Sequence, residues 1–172
     1  MYIKCKLLKD KNKILVKNIY DYDGNLLHSI DVKSLRRFDF TDIEMDGADL
    51  DEDLTGSNFS DSSCLDVDFG NSNLTNVTFD FANITSSIFT KAILHKTTFE
   101  NVVGANCNFS GCDLTRDISF ENAELVLCNF NGADLRGTNF KGANLYGADL
   151  RGANVEGADF TDANLKSAKT DF

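Results

Sequence analysis

The chain has 172 residues, a net charge of −10 and 42% hydrophobic residues, enough for one domain with a buried core. Its acidity excludes a basic nucleic-acid-binding face, and no segment approaches the ~20 apolar residues of a membrane span. Five cysteines, an odd number without paired spacing, argue against a disulfide framework; with the lysine-interrupted start MYIKCKLLKDKNK they predict a cytoplasmic protein.

Residues 1–35 hold seven Lys against four Asp, a local excess of positive charge. YIKCKLL (2–8) and KILVKNIY (13–20) alternate apolar with polar residues, and DYDGN supplies an Asp-Gly hairpin signal before LLHSIDV (26–32). The pattern predicts a three-stranded antiparallel cap over 1–35. Such a cap covers the unpaired backbone at the end of whatever follows. Its six lysines from Lys4 to Lys17 offer a contact for an acidic partner.

From residue 36 onward the chain repeats every five residues, most plainly over 136–165: RGTNF KGANL YGADL RGANV EGADF TDANL. Twenty-seven such units run to residue 170, with one four-residue unit (DEDL) and one six-residue unit (TRDISF). The last residue of each unit, its centre, is apolar except at Gly104 and Thr170. Two residues earlier stands a small or β-branched residue such as Ala48, Val67, Cys107 or Ala143, and on a strand these two share a face. Five is odd, so a continuing strand would turn the next unit outward, and each unit must contain a corner that resets the phase. Gly132, Gly137, Gly142 and Gly147, three before a centre, suit that corner. The chain therefore winds as a solenoid.

Eleven centres are Phe. A coil of twenty residues, four sides, places them on two opposite sides once the short and long units are allowed for. One ladder holds Phe40, Phe59, Phe79, Phe99, Phe120, Phe140 and Phe160, and the facing ladder holds Phe69, Phe89, Phe109 and Phe130. Leu, Ile, Val, Met or Cys fill the other two sides. The two irregular units read as bulged corners that keep the ladders in register.

The units ADLRG, ANLYG and ADFTD resemble those of the pentapeptide repeat proteins, over roughly 36–170. The resemblance implies an all-β fold, a right-handed quadrilateral β-helix of about seven coils. It also implies a non-catalytic protein that works by surface recognition of a protein partner. Members that target gyrase or confer quinolone resistance are acidic rods proposed to mimic duplex DNA, so the alternative is an acidic DNA mimic bound to a type II topoisomerase.

The acidic surface is densest near the start: Asp39, Asp42, Glu44, Asp46, Asp49, Asp51, Glu52, Asp53, Asp61, Asp66 and Asp68 stand in 38–70 without one base. Those 33 residues occupy about 8 Å of rod, a charge density above the one charge per ~1.7 Å of duplex DNA. Residues 71–172 hold twelve acids and eight bases, a net −4 or one charge per ~6 Å, so only the front third is expected to pass for DNA. A second candidate surface is apolar: Val126, Leu127 and Tyr146 at outward positions, with Phe81 expected alone at another corner.

No chemistry-bearing constellation accompanies these surfaces. His28 and His95 lack Cys or acidic residues at metal-ligand spacing. Cys107, Cys112 and Cys128 hold the small inward position and Cys64 a centre, so core packing is expected of them. Neither a nucleophile with a base nor a phosphate-binding Gly loop is present, and no enzyme, cofactor or metal is expected. After Leu165 only KSAKTDF remains, so either Phe172 folds over the last coil or that end meets another molecule, as in a homodimer.

Overall fold

The computed structural model describes residues 6–9, 15–20, 23–31, 34–115 and 117–171. Three strands, β1 (Lys6–Lys9), β2 (Leu15–Tyr20) and β3 (Leu26–Asp31), form one antiparallel sheet in the order β1-β2-β3. The remainder is a right-handed quadrilateral β-helix of parallel one-residue bridges. The expected strand residues 2–5, 13–14 and 32 lie outside the described residues, as do Lys4, Lys11, Lys13 and Phe172.

Each unit of the β-helix is a short straight side and a corner. At the corner the amide three residues after a centre donates back to the carbonyl of that centre, as Ile43 does to Phe40 (3.0 Å) and Ala48 to Met45 (3.0 Å). The third residue of this turn is left-handed, which is the requirement of a type II turn. From Arg37 to Ser167 the residue three before a centre has φ between +53° and +73°, as at Asp117 and Gly56; the four-residue unit at 51–54 is the exception. Gly, Asn and Asp dominate this position because they enter the left-handed region at least cost.

Four columns of bridges define the four sides. The first side runs Asp39, Asn58, Thr78, Thr98, Ser119, Asn139, Asp159, and the second Glu44, Ser63, Asn83, Val103, Glu124, Asn144, Asn164. The third runs Asp49, Asp68, Ile88, Asn108, Asn129, Asp149, Lys169, and the fourth includes Asp53, Asn73 and Ile93, then Asp113, Asp134 and Asn154. Partners stand 20 residues apart, except 19 across 51–54 (Asp49 to Asp68) and 21 across 115–117 (Thr98 to Ser119). Both irregular units sit at corners; the first three columns continue in register past them, while the fourth has no bridge between Ile93 and Asp113.

Inside, the rings of the first side stack at 4.3 to 5.2 Å between centroids, from Phe40 on Phe59 to Phe140 on Phe160. Those of the third side stack at 4.6 to 5.2 Å and meet the first edge-on, as Phe89 meets Phe99 at 5.6 Å and 88°. Stacked and edge-on pairs are the two favourable aromatic geometries, and together they pack a core one side chain deep. Serine, threonine and cysteine in the small position add a second function. The Ser87 hydroxyl donates to the Cys64 carbonyl (2.6 Å), Thr97 to Leu74 (2.8 Å) and the Cys128 thiol to Gly104 (2.7 Å), each in the preceding coil. The Leu74 carbonyl, which accepts from the Val77 amide (3.0 Å), thereby gains a second donor, while the Ser87 hydroxyl accepts from the Val67 amide (3.0 Å) and so relays that corner bond to Cys64.

The sheet closes the first coil. Ile19 of β2 is buried in the core of the β-helix, Leu27 packs against it, and the His28 ring nitrogen Nε2 donates to the Glu44 carbonyl at 2.7 Å. Asn18, also buried, accepts from Ser29 (2.7 Å) and donates to the Tyr20 hydroxyl (3.0 Å). In the last coil Val155, Phe160 and Leu165 are half-buried, and the Asp171 carboxylate accepts from the Gly152 amide at 2.7 Å.

Candidate functional site

The outer surface of the β-helix is built from three positions per unit: the bridged residue in the middle of a side and the two corner residues after each centre. The eleven acids of 38–70 occupy these positions on every side. Asp39 lies on the first side, Glu44 on the second, Asp49 and Asp68 on the third and Asp53 on the fourth. Asp42, Asp61, Asp46, Asp66, Asp51 and Glu52 occupy corners between them. The structure does not bring them to one face, and several serve the fold. Asp39 and Asp53 each accept the amide and hydroxyl of the threonine two residues on, and these bonds hold both carboxyls below the usual carboxylate range. Asp46 accepts from the Ser63 hydroxyl and the Leu65 amide, and Asp68 from the Gly70 amide.

Acids beyond residue 70 do align with the earlier ones. At the corner between the first and second sides, the Asp61 amide donates to the Asp80 carbonyl, Phe81 to Glu100 and Asn101 to Glu121. Asp42, Asp61, Asp80, Glu100 and Glu121 therefore line one edge, one carboxylate per coil at about 4.8 Å, until Lys141 interrupts it. The net acidic excess stays in the front third, and this edge carries a row of carboxylates beyond it. Density counted along the chain misses that row, because partners on an edge are 19 to 21 residues apart. The bases cluster elsewhere: Arg36, Arg37, Lys91, Lys96, Arg136 and Arg151 stand at the two corners of the fourth side. Two of these are tied in bidentate pairs, Arg136 with Asp134 (2.9 and 2.8 Å) and Arg151 with Asp149 (2.9 and 2.6 Å), and Arg151 draws the Asp149 carboxyl down to about 2.

The apolar candidates are Val126 and Leu127 at the corner between the second and third sides, and Tyr146 one coil on, whose carbonyl accepts from the Leu127 amide at 2.9 Å. Leu127 is 55% exposed and Tyr146 41%, while Val126 is half-buried. Phe81, 60% exposed, does not lie alone: its corner borders the same second side, and Val103, 45% exposed, stands in the middle of that side one coil further. Phe81, Val103, Leu127 and Tyr146 make a diagonal across four successive coils of one side, rimmed by Asp80, Glu100, Glu121 and Glu124. Val103 had no sequence signal except an apolar residue where Asp or Asn is the rule.

Phe81 and Leu127 hold the left-handed corner position, at φ of 62° and 61°. A bulky L-residue there costs roughly 1–2 kcal/mol, a cost that Asn largely escapes. Phe81→Asn is therefore expected to stabilise the protein by about 1 kcal/mol, read as a higher midpoint in urea. A lower midpoint would mean that the ring packs productively on its own molecule.

Cys64, Cys107, Cys112 and Cys128 are buried packing groups. Burial pushes the Cys64 thiol up to about 12 and Cys112 to about 11, so neither supplies a thiolate near neutral pH. Among the described residues no group of His, Cys, Asp and Glu side chains is placed to hold a metal ion, and no helix is long and apolar enough to cross a membrane.

The model of the pentapeptide repeats matches eight copies, over residues 53–90, 89–116, 116–152 and 128–167. Among solved structures, a trypsin-treated variant of QnrB1, a plasmid-mediated fluoroquinolone resistance protein, is 20% identical over 77% of this chain and 67% of its own, with a TM-score of 0.48. Rfr23, a pentapeptide repeat protein from the cyanobacterium Cyanothece 51142, is 25% identical over 74% of this chain and 87% of its own, with a TM-score of 0.33. HetL from Nostoc sp. strain PCC 7120, involved in heterocyst differentiation regulation, is 20% identical over 77% and 89%, with a TM-score of 0.28. No curated protein matches the chain.

Proposed function

This chain belongs to the pentapeptide repeat family, and we propose that it acts without catalysis, in the cytoplasm, by recognising a protein partner on the outside of its β-helix. The observation that carries the reading is the row of exposed apolar side chains on the second side, where neighbouring levels otherwise present Asn, Ser or Glu. Contiguous apolar surface with a polar rim is the usual mark of a protein contact. Capture from a lysate of its own cells tests this: Val126→Lys with Tyr146→Lys is expected to lose the captured partner. Asp/Glu to Asn/Gln changes across 39–53 are expected to retain it, and the reverse pattern would sink the apolar reading.

A second reading, an acidic mimic of DNA at a type II topoisomerase, is favoured by the edge of carboxylates from Asp42 to Glu121. One carboxylate per ~4.8 Å compares with one phosphate per 3.4 Å along a DNA strand. Its test is a titration into a gyrase supercoiling assay, with and without a quinolone. Inhibition or protection that disappears when Asp80, Glu100 and Glu121 are neutralised supports mimicry, and no effect at large excess over gyrase rejects it.

A further inference from the structure

We propose that the second side of the β-helix docks an amphipathic helix whose polar flanks are basic. The proposal rests on the reading of the chain as a protein-recognition module and names the class of partner.

The diagonal begins with Phe81 at the corner between the first and second sides. It crosses Val103 in mid-side and reaches Leu127, with Val126 beside it, at the far corner; Tyr146 extends it one coil further. Three coil steps cover about 14 Å along the axis, and the crossing of the side lengthens the path beyond that. The apolar stripe of a helix read at i, i+4, i+7 and i+11 is about 16 Å long at 1.5 Å per residue, so helix and diagonal match in length and in number of anchors.

An extended peptide has no purchase on this side. The amides and carbonyls of the second side are spent between coils: Ser63 donates to Ile43, Cys64 to Asn83, Asn83 to Ser62 and Ile84 to Val103. Along the diagonal no free strand edge is left to be augmented, so a partner there binds by packing side chains, which is the helix-in-groove mode.

The rim sets the charge of that helix. Asp80, Glu100 and Glu121 follow the edge from which the diagonal starts, Glu124 stands in mid-side beside Val126, Asp61 lies one coil below Phe81, and Asp66 stands at the far corner of that lower coil. Among the described residues Lys141 and Lys166 are the bases at the corners of the side, both toward its far end. Glu124 is held in place by the Asn144 amide (2.7 Å), which in turn accepts from Asn164 (2.9 Å). Lysine or arginine flanking an apolar stripe complements this arrangement. Phe81 and Leu127 occupy left-handed corners that Asn or Gly would fill more cheaply, as expected of residues retained for contact rather than for folding.

The test is fluorescence anisotropy with a labelled 18-residue peptide carrying Leu at i, i+4, i+7 and i+11 and Lys or Arg on the flanks. Its control is a permutation of the same composition without a helical apolar face. The native chain is expected to bind the first peptide saturably and the permuted one at least tenfold more weakly. The double variant Phe81→Asn, Leu127→Asn is expected to lose at least tenfold in affinity without a fall in melting temperature, because Asn already occupies this corner at Asn71, Asn76, Asn101 and Asn106. Equal binding of both peptides, or by both proteins, reduces the contact to charge attraction and overturns the proposal, as does no binding at all. If the peptide fails while partner capture still depends on Tyr146, the basic helix is wrong and surface recognition stands. If both fail, both readings go.

Discussion

Phe99→Ala lowers the unfolding free energy by about 3–5 kcal/mol, the upper range for a buried aromatic truncation. Phe99 is fully buried, stacks on Phe79 at 5.2 Å and Phe120 at 4.7 Å, and meets Phe89 and Phe109 edge-on at 5.6 Å each. The loss is large because the hole cannot close. Parallel hydrogen bonds above and below, such as Thr98 to Val77 (3.1 Å) and Phe99 to Ser119 (2.8 Å), hold the coil spacing whatever fills the middle. A cavity that survives truncation adds its own term to the lost transfer energy. Phe160 supplies the internal comparison: half-buried, with Phe140 as a ring neighbour at 5.1 Å, it is expected to cost less than half as much. Urea denaturation of both variants measures the difference, and equal losses would contradict a core that is deepest in mid-rod.

The interior was legible in the sequence for a physical reason. An inward side chain in a coil this narrow must match its neighbours above and below, so Phe recurs at fixed distance and the ladders are traceable past the units at 51–54 and 115–120. Corners were legible because φ near +60° selects Gly, Asn and Asp. The outward positions carry no such constraint. Asp80, Glu100 and Glu121 appear as scattered single acids until the coil places them above Asp42 and Asp61. Phe81 and Leu127 stand at different corners, and both corners border the second side. Reading a surface requires the register between coils, and that register depends on two irregular units whose effect on outward residues is not written in any local motif.

Gly104 is where the repeat pattern gives misleading advice. Every described neighbour in its column is larger, with Ile84 before it and Leu125 and Leu145 after, so Gly104→Leu looks like a stabilising return to the rule. The expected result is a loss of about 1–3 kcal/mol, the range for overpacking a filled core. A Cβ at this position would stand 3.1 Å from Ile84 Cγ1, 3.3 Å from Ile84 Cδ1 and 3.3 Å from Leu125 Cδ2, so the two neighbours have already closed over the space. The backbone is not the obstacle, since Gly104 is absent from the left-handed positions that mark the corners. Further atoms would have to displace Ile84 or Leu125, or shift the carbonyl that receives the Cys128 thiol at 2.7 Å. Gly104→Ala, which needs only a few tenths of an ångström from the Ile84 side chain, is expected to lie within about 1 kcal/mol of the parent. Thermal unfolding separates the two, at roughly 2–4 °C per kcal/mol for a chain of this length. A melting temperature raised by Leu would show that the column holds an unfilled gap and that Ile84 and Leu125 yield more readily than their contacts imply.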